Sequence, residues 1–263
     1  MSMPQRRKNG PDSAPGPSDD HLCASRLLSA LNLQDREHIR AHLVPCLLQR
    51  GQILFEPGDD VEITYFPCQG TLASLLVISS DGREVEAASI GHEGAVGGIV
   101  SAGHKPAYGR AVVQIGGPAF SIETAKLEEA KAHSAAFHDL FSRYADALLA
   151  QTMQSVACNA LHSVEARCSR WLLTTHDRVA RSPIPLTQEA LAEMLGVQRT
   201  TVTAAVKVLQ SRGLIRYSRG QVEILNRRGI EEAACECYES IESHFARLLP
   251  KVTVSKTRSA ADR

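Results

Sequence analysis

The chain has 263 residues, enough for two domains, and its 29 basic residues balance 29 acidic ones. No apolar run reaches the roughly 18 residues of a membrane-spanning helix, and the N-terminus lacks the apolar core of a signal peptide. We therefore expect a cytoplasmic protein without a membrane partner. The seven cysteines are scattered and form no CxxC pair, which argues against a disulfide framework and a structural zinc site.

The N-terminal region begins with a tail at residues 1–20 that is rich in Pro, Gly, Ser and charge, and we predict disorder there. Residues 21–49 predict one or two short helices. Within them, His38 and His42 are four apart and would share a helix face with Glu37 nearby, as metal ligands can. The HExxH spacing is absent, so a solvated helix face is the favoured interpretation.

Residues 50–123 predict a β domain, which with the preceding helices forms a sensor domain over 21–123. Turn signals such as Pro-Gly-Asp and Ser-Asp-Gly recur about every ten residues. Between them lie short runs rich in Val, Ile, Leu and aromatic residues, at 52–55, 63–66, 72–78 and 111–115. Short strands separated by glycine turns are typical of a rolled or closed sheet. Residues 101–109 predict a mobile loop over it.

Residues 124–157 predict one long linking helix, because they are rich in Ala and Leu and contain no Gly or Pro. An apolar seam along this helix suits packing against a partner helix. Its members are Phe137, Phe141, Tyr144 and Leu148. The partner is either the β domain or the same helix of a second subunit. Residues 158–162 predict a hinge into the next domain, at 158–229.

Residues 186–225 predict a helix, a tight turn, a second helix and a hairpin. Thr187 is a suitable N-cap, and Gly196 ends the first helix because glycine adopts left-handed dihedrals without steric cost. Ala192 provides the small side chain that two closely crossing helices need. The inward face of the second helix has helical spacing: Val202, Val206 and Leu209. These positions predict a helix-turn-helix, whose second helix enters the major groove of DNA.

The outward face of the second helix carries the predicted DNA contacts. Arg199 is expected to read a base edge, and further base or phosphate contacts are expected from Thr200, Thr203 and Lys207. Strands at 214–217 and 222–225 predict a wing. The basic residues expected to hold the DNA backbone are Arg212, Arg216 and Arg219. Within 199–228 the only acid is Glu223, so basic charge is concentrated here, as phosphate contact requires.

The C-terminal region, 230–263, predicts one more helix up to about residue 249 and then a frayed tail. Cys235 and Cys237 fall inside that helix. Two residues that are two positions apart on a helix point about 200° apart. We interpret both cysteines as small buried apolar residues.

The order of β domain, long helix and winged helix-turn-helix resembles the Crp/Fnr superfamily of bacterial transcription regulators over about residues 22–249. The resemblance is most specific at residues 186–215 (LTQEALAEMLGVQRTTVTAAVKVLQSRGLI). It implies that Arg199 reads guanine and that Gln198 caps the recognition helix or contacts phosphate. Thr200 and Ala204 stand where the family often has glutamate and arginine, so we expect a different target sequence. The implied fold class is α+β, with an N-terminal double-stranded, jelly-roll-like β-roll.

The resemblance also implies an effector pocket in the β-roll. Members that bind cyclic nucleotides hold the ribose with a Gly-Glu carboxylate and the phosphate with the arginine of an Arg-Ser/Thr-Ala segment. Here the first pair is Gly97 and Gly98, and no hydroxyl residue stands between Arg110 and Ala111. We therefore disfavour a cyclic nucleotide, and the effector is unidentified or absent. The candidate pocket residues are Gly97, Gly98, Tyr108, Arg110 and Ala111.

Other cofactors of the family are disfavoured too. An iron–sulfur cluster needs several clustered cysteines, which Cys23 and Cys46 do not provide. Cys68, His92 and His104 are candidate haem ligands, but ordinary surface or turn roles are favoured. We predict no metal site and no catalytic residue.

The sequence thus predicts a homodimeric, sequence-specific DNA-binding transcription regulator, with RNA polymerase as a further candidate partner. We assign the seam of the long helix to the second subunit, because a palindromic site needs a two-fold dimer. One alternative is a sensor or scaffold whose winged helix binds a protein. Another is a metal-dependent β-roll enzyme, for which His92, Glu93 and His104 are too sparse.

Overall fold

The protein is described here by a computed structural model, which covers residues 25–98 and 106–249. The predicted N-terminal and C-terminal tails, Cys23, His104 and residues 101–105 of the predicted loop lie outside these residues. The described chain forms an N-terminal β domain, a long helix and a C-terminal helical domain with a small sheet. None of its helices combines the length and apolar character that a membrane crossing requires.

Two antiparallel sheets form the β domain, with strand orders β1-β7-β3 and β2-β6-β4-β5. The elements up to the end of this domain are α1 (Arg26–Ser29), α2 (Leu33–Arg40), β1 (Val44–Leu48), β2 (Ile53–Phe55), β3 (Ile63–Pro67), β4 (Leu72–Ile78), β5 (Glu84–Ile90), β6 (Arg110–Ile115) and β7 (Gly117–Glu123). The predicted α+β fold class with an N-terminal β-roll is confirmed. The segment predicted to be helical ends earlier than expected, because β1 pairs with β7 from Val44 onward.

The long linking segment is two helices, so the prediction of one helix over 124–157 is wrong. Helix α3 (Thr124–His133) and helix α4 (Ala135–Leu161) meet at Ser134, whose backbone is extended. The Ser134 hydroxyl accepts a hydrogen bond from the Phe137 amide at 3.2 Å and donates one to Asp35 at 2.9 Å. This N-cap starts a new helix, because it satisfies an amide that an uninterrupted helix would have paired. Helix α4 then runs four residues past the predicted end.

The C-terminal domain follows a bend at His162 and Ser163, at the last residue of the predicted hinge and the one after it. Its elements are α5 (Val164–Val179), β8 (Ile184–Pro185), α6 (Gln188–Leu195), α7 (Arg199–Ser211), β9 (Ile215–Ser218), β10 (Gln221–Ile224), α8 (Arg227–Ala233) and α9 (Cys237–Leu248). The predicted single C-terminal helix is therefore wrong as well. Residues 234–236 leave the helix, since Ala234 is extended, and α9 begins at Cys237.

Two large apolar clusters organise the molecule. One joins α1, α2, β3, β7, α3, α4 and α9 around Phe66, Phe137 and Phe141. The other joins the C-terminal domain to the four-stranded sheet, because Leu72, Leu76 and Ile115 share a cluster with Trp171 and the core of α6 and α7. Since apolar burial stabilises by about 25 cal/mol per Å², this shared core holds the C-terminal domain against the β-roll.

Candidate nucleic-acid interface

Helices α6 and α7 cross at a tight contact that their sequence dictates. The Thr187 hydroxyl caps α6 by accepting from the Ala190 amide at 3.2 Å. Gly196 ends α6 with φ +62°, a left-handed conformation that costs glycine little. Ala192 is buried at the crossing, and the predicted inward face of α7 is buried too: Val202, Val206 and Leu209. The geometry is that of a helix-turn-helix.

The outward face of α7 is open to solvent. Arg199, Thr200, Ala204 and Lys207 are all exposed. The side chain of Gln198 makes no capping hydrogen bond, although its residue occupies the N-cap position. Its amide is therefore available to a phosphate, and the capping role that the resemblance offered is not formed.

Two predicted contact residues of α7 are engaged with α6. The Arg199 Nε lies 2.9 Å from Glu189 Oε1, and both side chains are more than half exposed. The Thr203 hydroxyl donates to Gln188 Oε1 at 2.6 Å or to the Arg199 carbonyl at 3.0 Å. Neither contact is buried deeply, so DNA can compete for both side chains.

The wing is a three-stranded sheet of order β8-β10-β9. Its tip is a two-residue turn, in which Arg219 has φ +50° and Gly220 has φ +73°. Positive φ at both positions gives the turn the twist that joins two antiparallel strands. Arg219 is exposed at this tip.

The other basic residues of this region have acidic neighbours. Arg216 pairs with Glu223 on the facing strand at 2.8 Å, and Arg212 pairs with Glu165 at 2.8 Å. Arg227 and Arg228 pair with acids from outside the segment 199–228: Asp177, Glu231 and Glu232. Fewer basic side chains are therefore free to contact DNA than the number of Arg and Lys residues in 199–228 suggests. Lys207 and Arg219 are the clearest free cations in the region that the structure describes.

A buried carboxylate joins the β-roll to the C-terminal domain. Glu86 of β5 accepts a hydrogen bond from the Trp171 indole at 3.0 Å and another from Ser74. Burial raises the pKa of Glu86 above its ordinary value, while the Ser74 hydroxyl and the charge of Arg170 oppose the rise. This role could not be predicted from the sequence, because an acid in a strand usually faces solvent.

Arg178, near the end of α5, makes the second polar connection between the domains. It donates to the Ser89 carbonyl at 2.6 Å and to Gln151 of α4 at 2.9 Å. Its Nε lies 2.9 Å from Glu93, and the two side chains are only 5% and 8% exposed. The Arg178 carbonyl also faces His92 Nδ1 at 3.0 Å. One guanidinium thus ties α5 to β5, to α4 and to the turn after β5.

The predicted pocket residues separate into two groups. Gly97, Gly98 and Tyr108 line a cavity of about 270 Å³, together with apolar side chains that include Leu75 and Leu148. Ala111 is buried in the adjoining apolar cluster. Arg110 points elsewhere: its guanidinium pairs with Glu56 at 2.9 Å and with Glu84. A Cβ on Gly98 would overlap the Thr124 side chain, so this backbone has no room for a glutamate there.

The predicted dimer seam is wrong. Phe137, Phe141 and Tyr144 are 1%, 1% and 0% exposed within one subunit, and the Tyr144 hydroxyl donates to the Ala95 carbonyl at 3.0 Å. Leu148 faces the cavity. These side chains pack on the β-roll, which was the alternative considered from sequence. A different stripe of α4 is exposed instead, formed by Leu149, Met153 and Val156 at 59%, 64% and 68%.

A cluster of metal-ligand side chains lies at the bend after α4, where sequence spacing gave no reason to expect one. It contains Cys158, His162, Cys235 and Cys237, whose ligand atoms all lie within 4.8 Å of one another. The break between α8 and α9 brings the last two cysteines to the same side. The hydrogen bond from Cys235 lowers the pKa of the Cys158 thiol, and nearby Arg170 acts in the same direction.

Comparison with known proteins agrees with this geometry. Residues 166–233 match the family model of the Crp-like helix-turn-helix domain. No curated protein sequence matches the chain.

Solved structures with the same fold include several regulators. The fold resembles FixK2 from Bradyrhizobium japonicum with a TM-score of 0.64 and 16% identity, over 73% of this chain and 98% of that one. A putative transcriptional regulator of the Crp/Fnr family from Eubacterium rectale gives 0.58 and 18%, over 79% and 96%. The c-di-GMP responsive global regulator CLP from Xanthomonas campestris gives 0.57 and 18%, over 73% and 99%.

These matches show what the chain is similar to. Residues 166–233 match the Crp-like helix-turn-helix domain, and the fold resembles that of solved regulators of the Crp/Fnr family. The predicted resemblance is confirmed, and the combination supports a DNA-binding transcription regulator.

Proposed function

We propose that the protein is a transcription regulator that binds a palindromic DNA site as a homodimer, with α7 in the major groove. The observation that carries this proposal is a helix-turn-helix whose second helix, α7, has an exposed outward face, together with a wing whose tip carries the exposed Arg219. In this arrangement Arg199 contacts a base edge. Gln198, Thr200, Thr203 and Lys207 add base or phosphate contacts, and Arg219 holds the backbone. A transcription regulator of this kind acts on DNA, so we propose that the protein is cytoplasmic.

Two of the predicted contacts with the DNA backbone require an existing ion pair to break first. Arg212 and Arg216 would need to leave Glu165 and Glu223, to which they are bound at 2.8 Å. Exposed ion pairs contribute at most about 1 kcal/mol, so exchange for a phosphate is energetically accessible. Lys207 and Arg219 need no such exchange.

The second subunit fits the exposed stripe of α4. Leu149, Met153 and Val156 are spaced four and three residues apart, which is the seam of a two-stranded coiled coil. Pairing along this stripe would set the distance between two α7 helices, and half-sites on one face of DNA lie about 34 Å apart.

The β-roll cavity suits an uncharged, apolar effector better than a cyclic nucleotide. Its described lining is apolar, and the guanidinium of Arg110 is already neutralised by Glu56 and Glu84. A cyclic phosphate in this cavity would therefore find no free cation among the described lining residues. CLP from Xanthomonas campestris is described as responsive to c-di-GMP, but the described lining of this cavity offers no free cation for the phosphates of that ligand.

Selection from random duplexes tests the proposal. The purified protein, without added ligand and under reducing conditions, is expected to enrich a two-fold palindrome. A protein carrying Lys207→Ala and Arg219→Ala is expected to recover fewer duplexes of every sequence. Binding without enrichment, unaffected by salt, would contradict sequence-specific recognition and favour a winged helix that binds protein.

The enzyme alternative gains no support from the described residues. His92 and Glu93 lie in the turn after β5 and are occupied by Arg178, through the Arg178 carbonyl and the Arg178 Nε. They are therefore engaged in joining the two domains.

A further inference from the structure

The bend between α4 and α5 is where two distant parts of the chain meet. Cys158 lies in the last turn of α4, and His162 is the residue where the chain leaves that helix. Cys235 and Cys237 come from the junction of α8 and α9, more than 70 residues later in the chain. Helix α8 packs with the DNA-binding core through Ile230, whereas α9 packs on α4 through Ile241 and Phe245. A bond across this junction would connect both domains.

Two of the distances within the cluster are close to the edges of a tetrahedral metal site, and all four ligand atoms lie within 4.8 Å of one another. Cys158 Sγ lies 3.5 Å from Cys235 Sγ, and Cys237 Sγ lies 3.4 Å from His162 Nδ1. With zinc–sulfur bonds of about 2.3 Å and zinc–nitrogen bonds of about 2.1 Å, the edges of a tetrahedral site measure about 3.6–3.8 Å. The cluster thus needs only small side-chain movements to close on an ion.

The surroundings of the cluster are those of a metal site as well. His162 Nε2 faces Glu236 Oε1 at 3.1 Å, which leaves Nδ1 directed at the cysteines. Metal-binding histidines characteristically give their second nitrogen to a carboxylate in this way. The Gln154 amide donates to Cys237 Sγ at 3.0 Å, as outer hydrogen bonds to a metal-bound thiolate do.

The charge balance also fits. Three thiolates and a neutral histidine around a divalent ion leave one net negative charge. Arg167 and Arg170 are buried on α5, within electrostatic reach of Cys158. The Nε atoms of both arginines are buried without a hydrogen-bond partner among the described residues. Arg167 also donates to Asn159 Oδ1 at 2.7 Å and to the Leu195 carbonyl, and the charge of Arg170 acts on Glu86. A buried guanidinium whose hydrogen bonds are incomplete is costly, and an anionic metal centre beside it would offset part of that cost.

We propose that Cys158, His162, Cys235 and Cys237 bind one zinc ion, which fastens the C-terminal segment to the bend between the linking helix and the DNA-binding domain. Zinc is the ion that tetrahedral sets of three cysteines and one histidine hold in structural sites. The zinc site shares no residue with the DNA-contacting face, so its test is independent of the test of the proposed function.

Metal analysis of the full-length protein tests the assignment. Protein purified in a reducing buffer without chelator is expected to contain about one zinc per subunit. Cys237→Ser is expected to lose that zinc, whereas Cys46→Ser, which changes a cysteine of β1 outside the cluster, is expected to keep it. Zinc retained in Cys237→Ser would overturn the proposal.

A milder variant separates a metal site from a merely structural cluster. Glu236 is exposed, so Glu236→Ala is expected to fold normally but to bind zinc about tenfold more weakly in competition with a chelator, because His162 loses its orienting partner. Glu239→Ala, an exposed carboxylate one turn further along α9, is the matched control and should bind zinc as the wild type does.

Cobalt(II) absorption spectroscopy and mass spectrometry provide two further tests of the zinc site. Cobalt(II) added to the metal-stripped wild type is expected to produce the thiolate charge-transfer and strong visible bands of a tetrahedral site. Three findings would overturn the proposal: no metal with no cobalt spectrum, iron with acid-labile sulfide in place of zinc, or a Cys158–Cys235 disulfide in the protein as isolated.

Discussion

Glu189 and Arg199 form an ion pair on the face that we assign to DNA, with Arg199 Nε 2.9 Å from Glu189 Oε1. Both side chains are largely exposed, so the pair contributes at most about 1 kcal/mol. The carboxylate nevertheless lies where phosphates would approach and competes for the guanidinium. We expect Glu189→Gln to strengthen binding to a random duplex by about two- to fivefold at low salt.

Fluorescence anisotropy with a labelled duplex measures this effect. The gain should shrink as salt is added, since it is electrostatic. Glu232→Gln, an exposed acid on α8, serves as control. An equal gain in both variants would show that Glu189 acts only through net charge and has no particular relation to Arg199.

Glu86 gives the domain contact a predictable pH dependence. Its pKa is raised above the ordinary value, chiefly by burial. The stability that a raised carboxyl pKa contributes is complete below the unfolded pKa, about 4.3, and is lost as pH rises through the higher folded pKa. We expect Glu86→Gln, which keeps the acceptor for Trp171 but cannot ionise, to flatten the fall in unfolding free energy over that window.

Urea unfolding at a series of pH values, followed by the fluorescence of the single tryptophan, tests this expectation. Trp171 bonds directly to Glu86 at 3.0 Å, so its emission reports on the same contact. A wild type and a Glu86→Gln variant with parallel pH profiles would contradict the role of Glu86.

At the scale of elements, α4 has two faces with different partners. Phe137, Phe141 and Tyr144 are buried against the β-roll, whereas Leu149, Met153 and Val156 are exposed within the subunit. An acid on the exposed stripe should therefore break the dimer without unfolding the subunit. We expect Met153→Glu to elute as a monomer at micromolar concentration, with an unchanged circular dichroism spectrum.

Size-exclusion chromatography with light scattering provides the measurement. Leu33→Glu is the matched control, because Leu33 is an exposed apolar residue of α2, 69% accessible and outside the stripe. A Met153→Glu protein that remains dimeric would show that subunits meet elsewhere.

Local sequence signals predicted much at this scale. Thr187, Gly196 and Val202 specify the helix-turn-helix by capping, φ preference and helical period, all of which act over a few residues. Helical period also identified the apolar stripe of α4 that contains Phe137, Phe141 and Tyr144. It did not identify the surface that this stripe packs against, because an apolar stripe fits a sheet or a helix equally well. The break at Ser134 was missed, since a serine within a helical pattern is not distinctive.

The Cys158, His162, Cys235 and Cys237 cluster was beyond sequence reasoning for a different reason. Cys158 and His162 are separated from Cys235 and Cys237 by most of the C-terminal domain. The expectation that the side chains of Cys235 and Cys237 point about 200° apart also assumed that both residues lie in one continuous helix. Once residues 234–236 leave the helix, Cys235 and Cys237 converge. Contacts between distant segments depend on the tertiary fold, which no local pattern contains.

For the whole molecule, Arg178 determines how the DNA-binding domain is held. The Arg178–Glu93 pair is almost fully buried, and removing one partner leaves an uncompensated charge that costs about 3–5 kcal/mol. We expect Arg178→Met to lower the unfolding free energy by about this amount and to make the bend at 162–163 sensitive to protease.

The double variant Arg178→Met with Glu93→Gln is the control, because it removes both charges. It should recover part of the lost stability, since no unpaired buried charge remains. Thermal unfolding and limited proteolysis measure both effects. A double variant no more stable than Arg178→Met alone would contradict the assignment of the cost to Glu93.

The most direct test of the central claim compares Arg199→Ala with the wild type on the selected palindrome and on a scrambled duplex. Base reading by α7 predicts a loss of about 1–3 kcal/mol at the specific site, or roughly 5- to 150-fold in affinity, and a much smaller loss on the scrambled duplex. Arg247→Ala, on α9, should leave both affinities unchanged. An equal loss on the two duplexes would contradict base recognition by Arg199 and reduce its role to phosphate contact.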